Sequence, residues 1–598
     1  MTDTLIAIAI GPVQDFIAAG RRTRDLWYGS KLLSEASRQA AWAVHDCGGQ
    51  LIFPGSMALS RTGPDEERPG IANVILARLR PQLAPEKAAC KAREAARRYW
   101  EGAAQTAFER AKDLVREEIW KEQLDGVIEV YAAWAPLETG KYAASRRTVM
   151  RLLAGRKLVR DFDVWTGHAG VPKSSLDGAR ESVFKDIPDR ERGIAERTRR
   201  QLRLSPGEHL DIVGLTKRVR QPKGFPSVTR IAADTWLRNL PKADLAALNE
   251  VCLKLAGEEK LIELIKVPDD VFPWEGSAVY RSRHHELVRE NADSEADSRD
   301  LPPAYEPLSR LIERLEHEYG IPDPYVACLA ADGDKMGAAL DAINDPDIHR
   351  QFSDRLAEFA GEVQAIVQDH YGSLVYSGGD DVLAFVPVKL CIKCADTLRR
   401  RFRELVVDKF APEASLSVGI AIVHAMEHME DIRKFANEAE KDAKDGDKRT
   451  PEEEKRNAIA VHVHPRGGSP TRVRGRWGEG LADRLKQWTD AYLSDSLSSK
   501  SAYDLKRLLT DYRVAGTERR WDDAHFQAAF PADAARVLHH KGSSKETAGK
   551  IRDLLAGVPN WEAAEAVINE LIVARRLAIA VRQPSKLKGG PNVLPLEG

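Results

Sequence analysis

Cysteine is scarce in this chain, six among 598 residues. That number excludes a disulfide framework and makes a reducing cytoplasm the expected setting. Long hydrophobic runs are missing as well. No stretch approaches the roughly 20 apolar residues of a membrane span, so no membrane partner is expected. The opening MTDTLIAIAIGPV has no basic stretch before its short apolar run and reads as a buried strand, not a secretion signal. A charge excess is also lacking. The 90 Lys and Arg against 91 Asp and Glu leave a formal net charge of -1, so any nucleic-acid affinity has to come from clustering on one face.

What is present is an ordinary globular composition, 43% hydrophobic and 30% charged, in a chain too long for one core. The segment 326–464 is the most legible. Val326–Ala331 reads as an apolar strand running into the loop Asp332-Gly333-Asp334-Lys335. Phe352, Leu356, Phe359, Val363, Ile366 and Val367 then recur at helical spacing. Two apolar runs, Leu374–Tyr376 and Val382–Val386, are joined through Ser377-Gly378-Gly379-Asp380-Asp381, whose glycines suit the positive φ of a tight hairpin. A helix through Leu398 and Phe402, a strand at Ser415–Val423, a helix over Met429–Lys444 and a strand at Ile459–His464 follow. The order is βαββαβ plus a strand, which predicts an α+β, ferredoxin-like unit.

The N-terminus repeats this pattern in worn form. Leu5–Ile10 with Gly11 parallels Cys328–Asp332 with Gly333, and Leu51–Gly55 parallels Leu374–Gly378. In that register Ile10 stands at the place of Asp332, and Ser56 and Met57 fall near that of the paired aspartates. The copy lacks the acids. Asn291–Pro303 reads as a linker, and helices are expected beyond Gly475, with amphipathic stretches at 480–493, 503–513 and 561–581.

The candidate reaction centre is Asp332, Asp380 and Asp381. Adjacent carboxylates at a hairpin repel one another, and a divalent cation relieves the repulsion. Mg²⁺ or Mn²⁺ favours hard oxygen ligands together with substrate phosphate, and a two-ion arrangement serves in-line displacement at phosphorus. The metal set is Asp332, Asp380 and Asp381 with the Gly333 carbonyl. Strand alternation lets only one of the paired aspartates face Asp332 unless the turn twists strongly, and Asp380 is the favoured one. Ser377, Gly378, Gly379, Lys444 and Asp334 are the candidate ATP contacts, with Lys444 and Lys448 following a small-residue helix face of Ala436, Ala439 and Ala443. The competing reading for these lysines is a solvated helix end. Arg21, Arg22, Arg24 and Lys31 read equally as an RNA or phosphate contact and as a basic helix face. Cys391 and Cys394 form a CxxC without a second pair, so zinc is not expected. His45-Asp46, His284-His285-Glu286 and His539-His540 show no ligand spacing.

With those residues in place, the chain resembles the large polymerase/cyclase-like subunit of type III CRISPR–Cas effector complexes, nearest the Cmr (III-B) branch. The likeness runs through IGPVQDFIAAGRRTRDLWYGSKLLSE at 10–35, GIANVILARL at 70–79, VPKSSLDGARESV at 171–183, RIAADTWLRNL at 230–240, ADGDKMG at 331–337 and YSGGDDVLAF at 376–385. The resemblance implies two palm domains with a helical insert and a helical C-terminal domain, partnership with Cmr-type subunits, guide CRISPR RNA and target RNA, and RNA-triggered synthesis of cyclic oligoadenylate from ATP. The expected division is 1–165 for a degenerate palm, 166–300 for a largely helical inter-palm region without a zinc module, 301–470 for the acidic palm, 476–582 for a helical domain and 583–598 for a flexible tail. Many relatives begin with a histidine-aspartate nuclease domain; the chain as given starts at the first palm, so no DNase activity is expected of it. The rival readings are a catalytically silent nucleotide-binding scaffold and a stand-alone GGDEF-like dinucleotide cyclase, the second disfavoured by the double palm.

Overall fold

The computed structural model describes residues 2–55, 59, 70–159, 167–186, 195, 198–199, 201–202, 204–205, 207–219, 225–257, 270–291, 301–446, 450–512 and 523–582. Two antiparallel βαββ-based sheets organise it. In the first, β1 (Thr4–Gly11), α1 (Thr23–Asp46), β2 (Gln50–Phe53), β3 (Val74–Leu79), α2 (Pro85–Arg110) and β4 (Glu129–Pro136) give the strand order β2-β3-β1-β4. The helix α3 (Tyr142–Leu158) follows and packs on β4 and β1. Its inward residues Tyr142, Val149 and Leu153 meet Leu5, Ala7, Ala9, Ala133 and Ala135 on one face of the sheet. Ile6, Ile8 and Ile10 point to the other face, toward α1 and α2, as alternation along a doubly covered strand requires.

The second sheet repeats the plan. It comprises β5 (Tyr325–Asp334), α7 (Met336–Ala342), α8 (Pro346–Asp369), β6 (Ser373–Gly378), β7 (Asp381–Pro387), α9 (Cys391–Phe402), β8 (Ser415–His424), α10 (Met429–Asp445), β9 (Ala458–Val463) and β10 (Thr471–Arg476). The helices between the sheets include α4 (Val228–Asn239), α5 (Lys242–Gly257) and α6 (Glu306–Tyr319). The order is β10-β9-β8-β5-β7-β6, with β9 parallel to β8. Its four strands β8-β5-β7-β6 have the same arrangement as β4-β1-β3-β2 of the first sheet, so the worn repeat is a structural one. The sequence reading found β9 but not β10, whose TRVRGR is too polar to signal a strand and pairs only along one edge. Ser56, Met57, Lys448, most of the Asn291–Pro303 linker and the 583–598 tail lie outside the described residues.

The two units dock reciprocally. α1 of the first lies on β6 of the second, and α8 of the second lies on β2 of the first. Arg350 of α8 donates from Nε to the Leu51 carbonyl at 3.0 Å. Two glycines set the closeness of this contact. A Cβ on Gly70 would fall 2.0 Å from the Ser377 carbonyl oxygen, and one on Gly55 would fall 2.2 Å from Asp354 Oδ1. Behind the second sheet, α11 (Leu481–Leu493), α12 (Ser501–Asp511), α13 (Asp523–His540), α14 (Lys545–Ala556) and α15 (Trp561–Val581) form one apolar core with it. Cys391 and Cys394 belong to that core, and burial pushes both thiols up to about 12. The segment 208–218 is clamped to α1 by Arg218, which pairs with Asp25 at 2.9 Å and Glu208 at 3.1 Å, all three buried. No helix among the described residues is long and apolar enough to cross a membrane.

Candidate active site

The acidic residues meet at one end of the β5–β7 pair. Antiparallel pairing runs from Val326↔Pro387 to Ala331↔Val382. Continued beyond these pairs by one and two residues, the same register would set Asp332 opposite Asp381 and Gly333 opposite Asp380. β6 and β7 close on Gly378↔Asp381 through the two-residue turn Gly379-Asp380, with Gly379 at φ +82, the conformation a glycine tolerates at the first position of a II′-type turn.

Directly opposed residues of an antiparallel pair share a face, so Asp381, not the favoured Asp380, faces Asp332. Two observations agree. A Cβ on Gly333 would lie 2.6 Å from Asp380 Oδ2, which puts the Asp380 carboxyl over Gly333 on the opposite face. Asp381 in turn feels the charge of Glu440 on α10, the helix that covers the Asp332 side. Gly333 is therefore required as the floor beneath Asp380.

α10 comes close because Gly419 of β8 has no side chain. A Cβ there would be 2.0 Å from the Glu440 amide nitrogen. Ala436, Ala439 and Ala443 line the buried side of α10, as its small-residue face predicts. This approach delivers Lys444 to Asp332, with which it forms an ion pair, and to Glu440 at 3.3 Å. Burial and the neighbouring Arg456 lower the Lys444 ammonium to about 8. Glu440 was not singled out in the sequence, although its position four residues before Lys444 marks an i, i+4 partner.

The carboxyls here are held up. Burial raises Asp380 to about 6. Asp381 sits at the exposed rim of the turn, yet the surrounding protein and the charges of Asp380 and Glu440 raise it to about 7. Glu440 is raised to about 7 by burial, Asp334 and Asp445. Such crowding of acids is what a bound cation stabilises.

Asp334 is differently placed. It is 1% exposed, and its Oδ2 accepts from Ser415 Oγ at 2.5 Å, Ser417 Oγ at 2.8 Å and the Asn457 amide at 3.0 Å. It fastens β5 to β8 and to the entry of β9, while its buried Oδ1 has no hydrogen-bond partner. Ser377 is buried, and its hydroxyl donates to the Ala360 carbonyl at 3.3 Å. Gly378 lies against the Tyr376 phenol, where a Cβ would come within 1.9 Å of the hydroxyl. Among the described residues no three His, Cys, Asp or Glu side chains converge on one point at metal-holding distance. The donors nonetheless fit a hard divalent cation in kind: they are all oxygen, their carboxyls are crowded, and one buried carboxylate oxygen is unpartnered.

The basic residues near the first unit are dispersed. Lys31 is buried and pairs with Glu35 at 3.6 Å, whereas Arg21 is exposed and reaches the Ser175 carbonyl at 3.5 Å. His284 is held between Ser309 Oγ and the Ala278 carbonyl, and His462 against Asp442 at 2.8 Å.

The chain is a pair of reciprocally docked, palm-type α+β units, one bearing an acidic hairpin beside an acidic strand end and the other without it. The family model for the Cas10/Cmr2 second palm domain matches residues 325–460, and that for the N-terminal part of CRISPR-associated protein Cmr2 matches residues 5–105. Two stretches of the chain are thus similar to domains of the Cas10/Cmr2 family. It is 34% identical over 134 residues to the CRISPR system Cmr subunit Cmr2 of Pyrococcus furiosus, a match covering 18% of this chain and only 15% of that protein. The fold is similar to a chain of a type III-B Cmr-beta complex in its apo state (TM-score 0.61, 14% identity, 90% of this chain and 77% of that one). It is also similar to one in the Cmr-beta complex bound to cognate target RNA (TM-score 0.63, 14% identity, 96% and 83%).

Proposed function

We propose that the chain is the catalytic large subunit of a type III-B RNA-guided effector complex, which converts ATP to cyclic oligoadenylate when target RNA pairs with the guide CRISPR RNA. What supports this reading is the acidic turn Gly379-Asp380-Asp381, with Asp380 over Gly333 and Asp381 near Glu440, beside the strand end that carries Asp332. Asp332, Asp380 and Asp381, with the Gly333 carbonyl, would hold Mg²⁺ or Mn²⁺, which supplies charge neutralisation for the triphosphate and for the developing oxyanion.

The protein's own part is positioning and charge. Gly378 and Gly379 leave the turn free of side chains, so a triphosphate can approach its main chain. Lys444, held by Asp332 and Glu440, stands as a point charge able to exchange a carboxylate for a phosphate oxygen. The first palm, pressed onto β6 by α1, supplies the wall against which a second ATP is seated. Its 3′-hydroxyl attacks the α-phosphorus of the first, forming the phosphodiester bond as pyrophosphate leaves. Orientation of the two nucleotides provides most of the acceleration.

The test assembles the complex with guide and matching target RNA, adds ATP with Mg²⁺ or Mn²⁺, and reads products by mass spectrometry. Oligoadenylate from the wild type and none from Asp380→Ala/Asp381→Ala is the expected result. The Lys444–Asp332 ion pair favours one second reading, a subunit that binds nucleotide without turning it over. Nucleotide binding with no product from the wild type would establish that reading instead.

A further inference from the structure

With 90 basic and 91 acidic residues, the chain as a whole is close to charge balance. On α9 and just beyond it, Arg399 and Arg400 pair with Asp396, Arg401 with Glu362 and Glu404, and Arg403 with Asp408. The helix α3 departs from this pattern. Its sequence, YAASRRTVMRLLAGRKL, contains five cations and no acid. The inward cation Arg146 is buried and pairs with Asp341 of α7. Arg156 lies over the Tyr131 ring. Arg147, Arg151 and Lys157 are exposed, and no carboxylate partner for them is found among the described residues.

The three cations are arranged for a linear polyanion. Arg147 and Arg151 are one turn apart on a single stripe, about 6 Å along the axis at the helical rise, with Lys157 flanking the continuation of that stripe. Ala154 and Gly155, between Arg151 and Lys157, are exposed and small, so a strand can lie close to the helix surface. Leu152 and Leu158, 49% and 85% exposed, offer apolar contact beside the charges. The opposite face of α3 is fastened to the acidic unit through Arg146–Asp341 and through Tyr142 Oη to His349 Nδ1 at 2.6 Å.

We infer that the outward face of α3 binds the phosphodiester backbone of single-stranded RNA through Arg147, Arg151 and Lys157. The partner class rests on the reading of the chain as an RNA-guided subunit; the charge pattern does not. The contact is electrostatic and independent of base sequence, so its signature is a salt dependence.

The test uses the full-length chain and a fluorescein-labelled single-stranded oligouridylate, followed by anisotropy over a series of salt concentrations. Arg147→Glu/Arg151→Glu is expected to weaken binding at least tenfold and to lower the slope of log affinity against log salt by about 1 to 1.5. Arg147→Lys/Arg151→Lys is expected to keep most of the affinity, because phosphate accepts a point charge from either side chain. Both positions are exposed, so thermal melting should be unchanged. Wild-type-like affinity and slope in the glutamate variant, or no RNA binding by the wild type, overturns the inference. A glutamate variant that binds RNA normally but no longer assembles with sister subunits also overturns it and makes this a protein surface. ATP takes no part in the measurement, so failure of the cyclase reading leaves the result intact.

Discussion

Asp332 and Asp334 stand two residues apart on one strand and do different work. Asp332 is partly exposed and partnered by a lysine, which makes it available for exchange with a cation. Asp334 is sealed beneath three donors and acts as a fastener. Their substitutions should therefore separate. Asp332→Asn is expected to lower oligoadenylate formation by about 10²-fold or more with unchanged melting, as loss of transition-state charge stabilisation does. Asp334→Ala leaves two hydroxyls and an amide without their acceptor. It should cost about 2–4 kcal/mol in urea unfolding, whatever it does to activity. Gly333 is a third case. Gly333→Ala has to displace Asp380, so product formation should fall while stability changes far less.

Among elements, the contact of α3 with α8 carries a titration. Burial and the nearby Arg146 lower His349 from 6.5 to about 4, so the imidazole is neutral in the folded protein at neutral pH. The unfolded chain then binds the extra proton between these values, and stability rises with pH across that window. The contribution is complete above about 6.5 and is lost as pH falls toward 4. Urea midpoints measured from pH 7 to pH 4.5 should fall more steeply for the wild type than for His349→Leu, in which the titrating group is gone. The seat of α10 on β8 is a second element-scale feature. Gly419→Val pushes against main chain at Glu440 and should cost about 1–3 kcal/mol, as overpacking does, while also withdrawing Lys444 from Asp332.

For the whole molecule, the C-terminal helices and the second palm share one core, so residues 476–582 are not an appendage to it. Arg576 of α15 reaches back to pair with the half-buried Asp323 at the entry to β5 and lies over the Tyr325 ring. Asp323→Ala strands that arginine and should destabilise by roughly 3–5 kcal/mol, read as a fall in the calorimetric melting temperature. If the C-terminal helices were an independent unit, the same substitution would leave the melting of the second palm unmoved.

Local pattern was enough for much of this. Alternation and glycine placement gave the βαββαβ order of the second unit and two matching strands of the first, and the Gly379 turn could be read because one residue type accepts its φ. Ala436, Ala439 and Ala443 likewise announced a close helix contact. The polar edge strand β10 was illegible, since an edge needs only one partner and shows no buried alternation. Which aspartate faces Asp332, and that Glu440 joins them, depended on pairing register and on Gly419 admitting α10. Sequence alone therefore determined the elements, the acidic turn and the loss of acids in the first unit, because these follow from short-range conformational preference. Only the tertiary structure decided which charges meet, because strand register and helix approach bring together side chains far apart in the chain, such as Asp332 and Lys444.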